Sequence, residues 1–309
     1  MTLLLKTAEV APLLDLPKAM EVLERAYRQQ AEGRLDESAP LRLMGRKVRL
    51  VAGGLPVDDR VGVRLSAGSG GDQALALLYD NAGTPLCIMG YPFSELRLAA
   101  TMGLAIDRLA PASVSSVGLI GSGRLAPFAL DGALAARLIE RVRLYSPTEA
   151  HRERFAAVHA ERLGLPVEAA GRPEDAVEPA DIVLVSTNSP SPTLLGRWLR
   201  PEHAVFGCGR PNEFDDEVYL RARWIVVSSK LHERGYYDTK LDRPLIRLAD
   251  SGQIAWQEVA ELGAVVAGQV TGGPGVVFRE SQGGYSDVAL ASYVYEQALA
   301  KGLGTEVSF

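Results

Sequence analysis

The chain has 309 residues, 47% of them hydrophobic, enough for two domains of about 100–200 residues each and for a substantial core. Its formal net charge of -5, with no basic tract, argues against nucleic acid or an anionic membrane surface as a partner. No apolar run reaches the roughly 18 residues of a membrane span. Cys87, Cys208 and four scattered histidines make neither a disulfide framework nor a metal-ligand pattern, so no metal is expected and a cytoplasmic location fits.

Met1 to Lys6 lacks the length and the basic start expected of a signal peptide. Residues 8–34 carry Leu13, Met20, Leu23, Ala26 and Tyr27 at near-helical spacing, which predicts one or two surface helices broken near Pro17. Strand-like stretches follow at Leu41 to Leu43, Lys47 to Ala52, Val61 to Ala67, Ala74 to Asp80 and Pro85 to Met89. Turn signals at Gly53-Gly54, Asp58-Asp59, Gly68 to Asp72 and Asn81-Ala82-Gly83 separate them, which predicts an antiparallel sheet or half-barrel. Ser94 to Leu109 reads as a helix with Arg97 in its first turn, and Pro111 marks a domain boundary.

From Ser115 the pattern alternates strand and helix: strand 116–120, helix 126–140, strand 142–145, helix 148–163, strand 166–168, a short helix from Pro173 to Val177, and strand 181–186. His203 to Cys208, Trp224 to Val227 and Val276 to Phe278 are further strands. Asp242 to Glu261 reads as a surface segment with short helices, and Ser286 to Lys301 as a final amphipathic helix. The alternation predicts an α/β chain with a doubly wound parallel sheet of the Rossmann kind. An N-terminal α+β domain over 1–112 would precede a nucleotide-binding domain over 113–285, with the helix of 286–309 crossing back onto the first.

The most informative stretch runs from Val117-Gly118-Leu119-Ile120 into Gly121-Ser122-Gly123-Arg124-Leu125-Ala126. This is G-x-G-x-x-A in strand–turn–helix context. Gly121 permits the tight turn, Gly123 lets a pyrophosphate approach the backbone, and Ala126 allows close helix–strand packing. Gly121, Ser122, Gly123, Arg124 and Leu125 are therefore expected to bind a dinucleotide. At the end of the next strand, Tyr145-Ser146-Pro147-Thr148 has no carboxylate for the ribose hydroxyls, and Glu149 comes too late. Ser146 and Thr148, with His151 or Arg152, suit a 2′-phosphate, so the cofactor reading is NAD(P)(H) with NADP slightly favoured. Thr187-Asn188-Ser189 is expected to line the nicotinamide ribose, or else to be a capped loop before Pro190. Cys208, at a strand's carboxyl end, reads as a wall of the cofactor site and not as a nucleophile.

Several stretches together resemble the ornithine cyclodeaminase/mu-crystallin family. They are Pro40-Leu41-Arg42, Val61 to Leu65, Glu95-Leu96-Arg97, Gly121 to Ala126, Ala180 to Val183 running into Ser186-Thr187, Phe206 to Pro211, and Phe278-Arg279 through Asp287. The resemblance covers roughly residues 5–300. It implies an NAD(P)-dependent enzyme of a small amino or imino acid, dimeric through its N-terminal domain. It also implies a substrate carboxylate held by Arg42, Arg64 and Arg97, with Arg64 and Arg97 at the reacting end; the alternative is three ordinary surface or interface arginines.

The chain departs from the family pattern at four places. Arg64 stands where lysine is usual, and arginine keeps the charge but lacks a tunable proton. Leu98 replaces a threonine. Gly209 replaces the aspartate of the cyclodeaminases, so little or no ammonia release from ornithine is expected, and Gly209→Asp would restore some of it only if the rest of the pocket is cyclodeaminase-like. Arg279-Glu280-Ser281-Gln282 replaces K-S-x-G. Two alternatives to an oxidoreductase follow: ornithine cyclodeaminase itself, and a non-catalytic NAD(P)- or ligand-binding homologue. Asp215-Asp216-Glu217 reads as a solvated helix start. The flat apolar pattern of 61–67 and 74–80 predicts a homodimer joined through that sheet.

Overall fold

The computed structural model describes residues 1–43, 48–67, 73–235 and 241–308. The strand start expected at Lys47 and the turn expected over Gly68 to Asp72 lie outside them. Two compact units emerge: Met1–Ala100, Ser229–Tyr236 and Gln282–Phe309 form the first, and Thr101–Ser228 with Tyr237–Ser281 the second.

The chain opens on β1 (Thr2–Leu5), a strand the sequence reading missed, then a short α1 (Thr7–Val10) and α2 (Leu16–Ala31). Asp15 caps α2 by accepting the Lys18 N–H at 3.0 Å, and Pro17 sits in the first turn. The proline therefore begins a helix where an interruption was expected, because the first turn needs no donor from it. Next come β2 (Asp36–Glu37), β3 (Leu41–Leu43), β4 (Val48–Leu55), β5 (Arg60–Ala67), β6 (Gln73–Tyr79) and β7 (Pro85–Gly90). Helix α3 (Ser94–Leu109) starts in the first unit and ends in the second.

The second unit contributes β8 (Ser116–Ile120), α4 (Ala126–Ala136), β9 (Arg141–Tyr145), α5 (Glu149–Leu163), β10 (Val167–Ala169), α6 (Pro173–Val177), β11 (Ile182–Val185), β12 (Ala204–Gly207), α7 (Asp216–Leu220) and β13 (Trp224–Val227). After α8 (Lys230–Gly235), which belongs to the first unit, it continues with α9 (Pro244–Asp250), β14 (Ala260–Glu261), α10 (Leu262–Val266) and β15 (Val276–Arg279). The chain ends in the first unit with α11 (Gly284–Ala300) and β16 (Thr305–Val307).

The first unit's sheet has the order β16-β1-β7-β6-β5-β4-β2, with β3 on β4. Strands β4 to β7 are antiparallel, as expected, while β1 joins β7 in parallel. One face, with Arg64, Ser66, Ala76, Leu78 and Met89, is buried. Helix α11 lies over β4, β5 and β6, and α2 packs against α11. The other face carries Val63 opposite Leu77, and Leu65 opposite Leu75. There Val61 is 39% and Leu75 44% exposed. Helix α11 is not amphipathic as expected: Gly284 to Ser292 are all buried.

The second unit's sheet is wholly parallel, in the order β10-β9-β8-β11-β12-β15-β13-β14. Strands β8, β11, β12 and β15 are buried along their length, the continuous apolar run of a sheet covered on both faces. The chain runs outward from β8 to β10, then returns to place β11 on the other side of β8; this is the doubly wound fold expected. Helix α4 stops at Ala136, short of the expected residue 140. Arg137 turns extended and donates to the carbonyls of Asp107 at 2.7 Å and Ala110 at 2.8 Å, which draws the chain out of the helix. The segment expected at the surface, 242–261, also contributes to the core, where Leu245, Leu248 and Val259 are buried.

Candidate active site

The carboxyl ends of β8 and β11 lie where the sheet's connections diverge, the position at which such sheets take ligands. Gly121 leaves β8 with φ +107°, and a Cβ there would stand 2.3 Å from the Ser186 carbonyl oxygen. Glycine is required on both counts. A Cβ on Gly123 would meet no heavy atom within 4 Å. This open flank is the space a pyrophosphate needs beside the backbone. The Gly123 carbonyl accepts from Ala126 N at 3.1 Å and turns the chain into α4. Leu125 occupies the N-cap with no side-chain bond, so the first-turn N–H groups receive no cap from it, and Arg124 beside it is exposed. These residues fit a dinucleotide's diphosphate.

Ser122 and Ser146 join the first loop to the end of β9 through a hydroxyl–hydroxyl bond of 2.9 Å. Arg152 reaches back to the Ser146 carbonyl at 3.3 Å and pairs with the exposed Glu149 at 3.3 Å. Thr148 stands at the N-cap of α5 without a side-chain cap bond. The end of β9 and the start of α5 thus gather hydroxyls and a guanidinium.

At the end of β11, Thr187 lies against the Gly121 turn, within 3.1 Å of the Cβ position there, and Asn188 is exposed. Thr187 donates its N–H to Glu213 Oε1 at 2.6 Å, and its hydroxyl meets that of Thr193 at 3.1 Å. Cys208 is buried; burial pushes its thiol pKa far up, which suits a wall and not a nucleophile. Gly209 donates to Glu213 Oε2 at 2.8 Å. A Cβ on Gly209 would sit 2.2 Å from Glu213 Oε1 and 2.2 Å from the Thr187 carbonyl oxygen. The place an aspartate side chain at 209 would take is thus already filled.

The first unit gathers a second cluster. Arg64 on β5 donates through Nε to Asp287 Oδ2 at 2.8 Å, and Arg97 Nε stands 3.3 Å from Oδ1. The Tyr91 hydroxyl donates to Oδ1 at 2.9 Å. All four are buried. Burial acts to raise the Asp287 carboxyl, but Arg64 and Arg97 outweigh it and hold the group below its usual range. Gln282 reaches Arg64 Nη2 at 3.4 Å from a left-handed backbone, φ +70°. Arg42 stands half-buried on β3, in register with Arg49 of β4. On α8, His232 Nε2 lies 3.1 Å from the Ser38 carbonyl and 3.2 Å from Glu37; burial lowers its pKa to about 4.

Asp287, Tyr91, Gln282 and Glu213 were not read as site residues from the sequence. Asp287 left a faint signal, an acid in the first turn of the final helix. Glu213 left none, since only the fold brings its carboxylate to Thr187 and Arg279.

The family model described as "Ornithine cyclodeaminase/mu-crystallin family" matches residues 1–302. The chain belongs to this family. Among relatives of the ornithine cyclodeaminase/mu-crystallin family, it is 28% identical to a Delta(1)-pyrroline-2-carboxylate reductase of Bacillus cereus, over 87% of this chain and 82% of the relative. It is 27% identical to an alanine dehydrogenase of Archaeoglobus fulgidus, over 100% of this chain and 98% of the relative. A solved archaeal alanine dehydrogenase, a dimer with bound NAD, superposes with a TM-score of 0.86 at 26% identity, covering 100% of this chain and 99% of the other.

Proposed function

We propose that the chain is an NAD(P)H-dependent oxidoreductase that reduces a small imino acid, or oxidises the corresponding amino acid. The observation that carries this is the open Gly123 flank beside a Gly121 turn that only glycine can make. Gly121, Ser122, Gly123, Arg124 and Leu125 would hold the diphosphate. Thr187, Asn188 and Cys208 would border the nicotinamide end, and Ser146 and Thr148 the ribose. When bound, the cofactor supplies or accepts the hydride at the substrate's α-carbon. The chain's own part is to bind and orient. Arg64 and Arg97, set in place by Asp287, would hold the substrate carboxylate, with Arg42 a further candidate. The names of relatives that act on a cyclic imino acid and on alanine support this substrate class.

The filled space at Gly209 favours an oxidoreductase over an ornithine cyclodeaminase, because the carboxylate expected for proton handling there has no room. Arg152 and the two hydroxyls beside it favour NADPH, whereas the archaeal neighbour is named for NAD. The exposed apolar face of β5 and β6 supports a homodimer, and the two buried free cysteines fit a cytoplasmic location. No helix among the described residues is long and apolar enough to cross a membrane. None of their His, Cys, Asp and Glu groups is arranged to hold a metal.

Assay of NADH and NADPH oxidation with cyclic and acyclic imino acids, beside ammonia release from ornithine, tests the reading. Turnover of an imino acid and none of ornithine is expected. Robust ornithine turnover, or no turnover of any imino acid, would overturn it.

A further inference from the structure

Resting on the dinucleotide reading above, we propose that Glu213 is a positioning residue for the nicotinamide end of the cofactor, clamping the loop after β11 to the ends of β12 and β15. One buried carboxylate makes all three attachments. Its Oε1 accepts from Thr187 N at 2.6 Å, and its Oε2 accepts from Gly209 N at 2.8 Å and from Arg279 Nη1 at 2.8 Å. Both members of the ion pair have fully buried side chains. The same residue's backbone carbonyl takes the N–H groups of Thr193 at 2.8 Å and Leu194 at 3.0 Å.

Glu213 therefore holds both ends of the segment from Thr187 to Thr193. That segment is Thr-Asn-Ser-Pro-Ser-Pro-Thr, and its two prolines lack an N–H to fasten it by. The hydroxyls of Thr187 and Thr193 meet across its base at 3.1 Å, and Asn212 Nδ2 adds a bond to the Ser189 carbonyl at 3.2 Å. The clamped loop begins against the Gly121 turn, where the dinucleotide crevice begins. Charge-assisted bonds in a dry site are the strong ones, and they fix geometry as well as supply energy. Burial raises the Glu213 carboxyl, to about 7, against the pull of Arg279 and of the two N–H groups, so its retention in the core depends on these partners.

The test compares the full chain with Glu213→Gln, using two probes. ADP reports the adenosine and diphosphate end alone, and NADH adds the nicotinamide riboside. Glu213→Gln keeps the shape but puts an NH2 group against donors. Expected is a NADH affinity weakened about tenfold, as for loss of a bond to a charged group, with ADP affinity unchanged. The turnover number is expected to fall roughly 100-fold, as misplacement of a reacting group does. Glu213→Gln/Arg279→Met removes both buried charges. It guards against misfolding of the single variant, and it is expected to recover thermal stability without recovering NADH affinity.

Equal losses for both probes, or NADH affinity and turnover unchanged in either variant, would overturn the proposal. Recovery of NADH affinity in the double variant would do so as well. An unmodified chain that binds neither probe would instead overturn the dinucleotide reading, and this proposal with it.

Discussion

Two single positions carry opposite consequences. At Gly209 the backbone has no room for any side chain, because the Glu213 carboxylate and the Thr187 carbonyl stand where a Cβ would go. Gly209→Asp adds both an overlap and a second buried negative charge beside Glu213. We expect it to destabilise the chain by about 3 kcal/mol or more, read by urea unfolding, with no ammonia released from ornithine; a stable variant that deaminates ornithine would refute the packing argument. Gln282 is the reverse case, a residue held at φ +70°, where the family pattern has glycine. The left-handed backbone costs a non-glycine residue about 1 kcal/mol or more, while the Gln282 side chain steadies Arg64 at 3.4 Å. Gln282→Gly is expected to raise the melting temperature and, by loosening Arg64, to raise the KM for the imino acid several-fold. A lower melting temperature with unchanged KM would contradict this.

Among the elements, α11 ties packing to the site. Its first turn meets β4 at backbone contact: a Cβ on Gly53 would lie 2.2 Å from the Tyr285 nitrogen. Three residues beyond Gly284, Asp287 receives Arg64 and the Tyr91 hydroxyl. Gly53→Val should therefore push α11 off the sheet and cost at least about 3 kcal/mol. Circular dichroism melting would check this, and in folded protein imino-acid turnover should fall while the affinity for ADP-ribose holds. A stable, fully active variant would show that the approach is not tight.

This element also shows what a sequence can disclose. The strand–glycine–helix run at 116–126 and the alternation after it were legible because local periodicity and turn chemistry agree there. The α3 bounds were legible for the same reason. The return of α11 to the first unit was expected, but the burial of every residue from Gly284 to Ser292 was not, because its surroundings are assembled from β4, β5, β6 and α2, which lie far away in sequence. Strand β1 was missed because its partners β7 and β16 are equally remote. Arg64 and Arg97 were picked out by a resemblance, but their counter-charge, some 190 residues or more along the chain, becomes visible only in the fold.

For the whole molecule, the half-exposed apolar face of β5 and β6 sets the expected assembly. Val61, Val63, Leu65, Leu75 and Leu77 line it, and neither α11 nor α2 lies on that side. A two-fold copy of the same face covers it most simply. Light scattering should give a dimer for the unmodified chain and a folded monomer for Leu77→Arg; a monomeric unmodified chain, or a dimer indifferent to that charge, would refute it. Beneath assembly and chemistry alike lies the claim that the crevice after β8 holds a dinucleotide. Titration with NADH and NADPH in parallel, followed by energy transfer from Trp198, Trp224 and Trp256 to the nicotinamide, tests it most directly. We expect saturable transfer with both, tighter for NADPH, and none in folded Gly123→Val. Absence of transfer from either cofactor, or undiminished transfer in that variant, would contradict it.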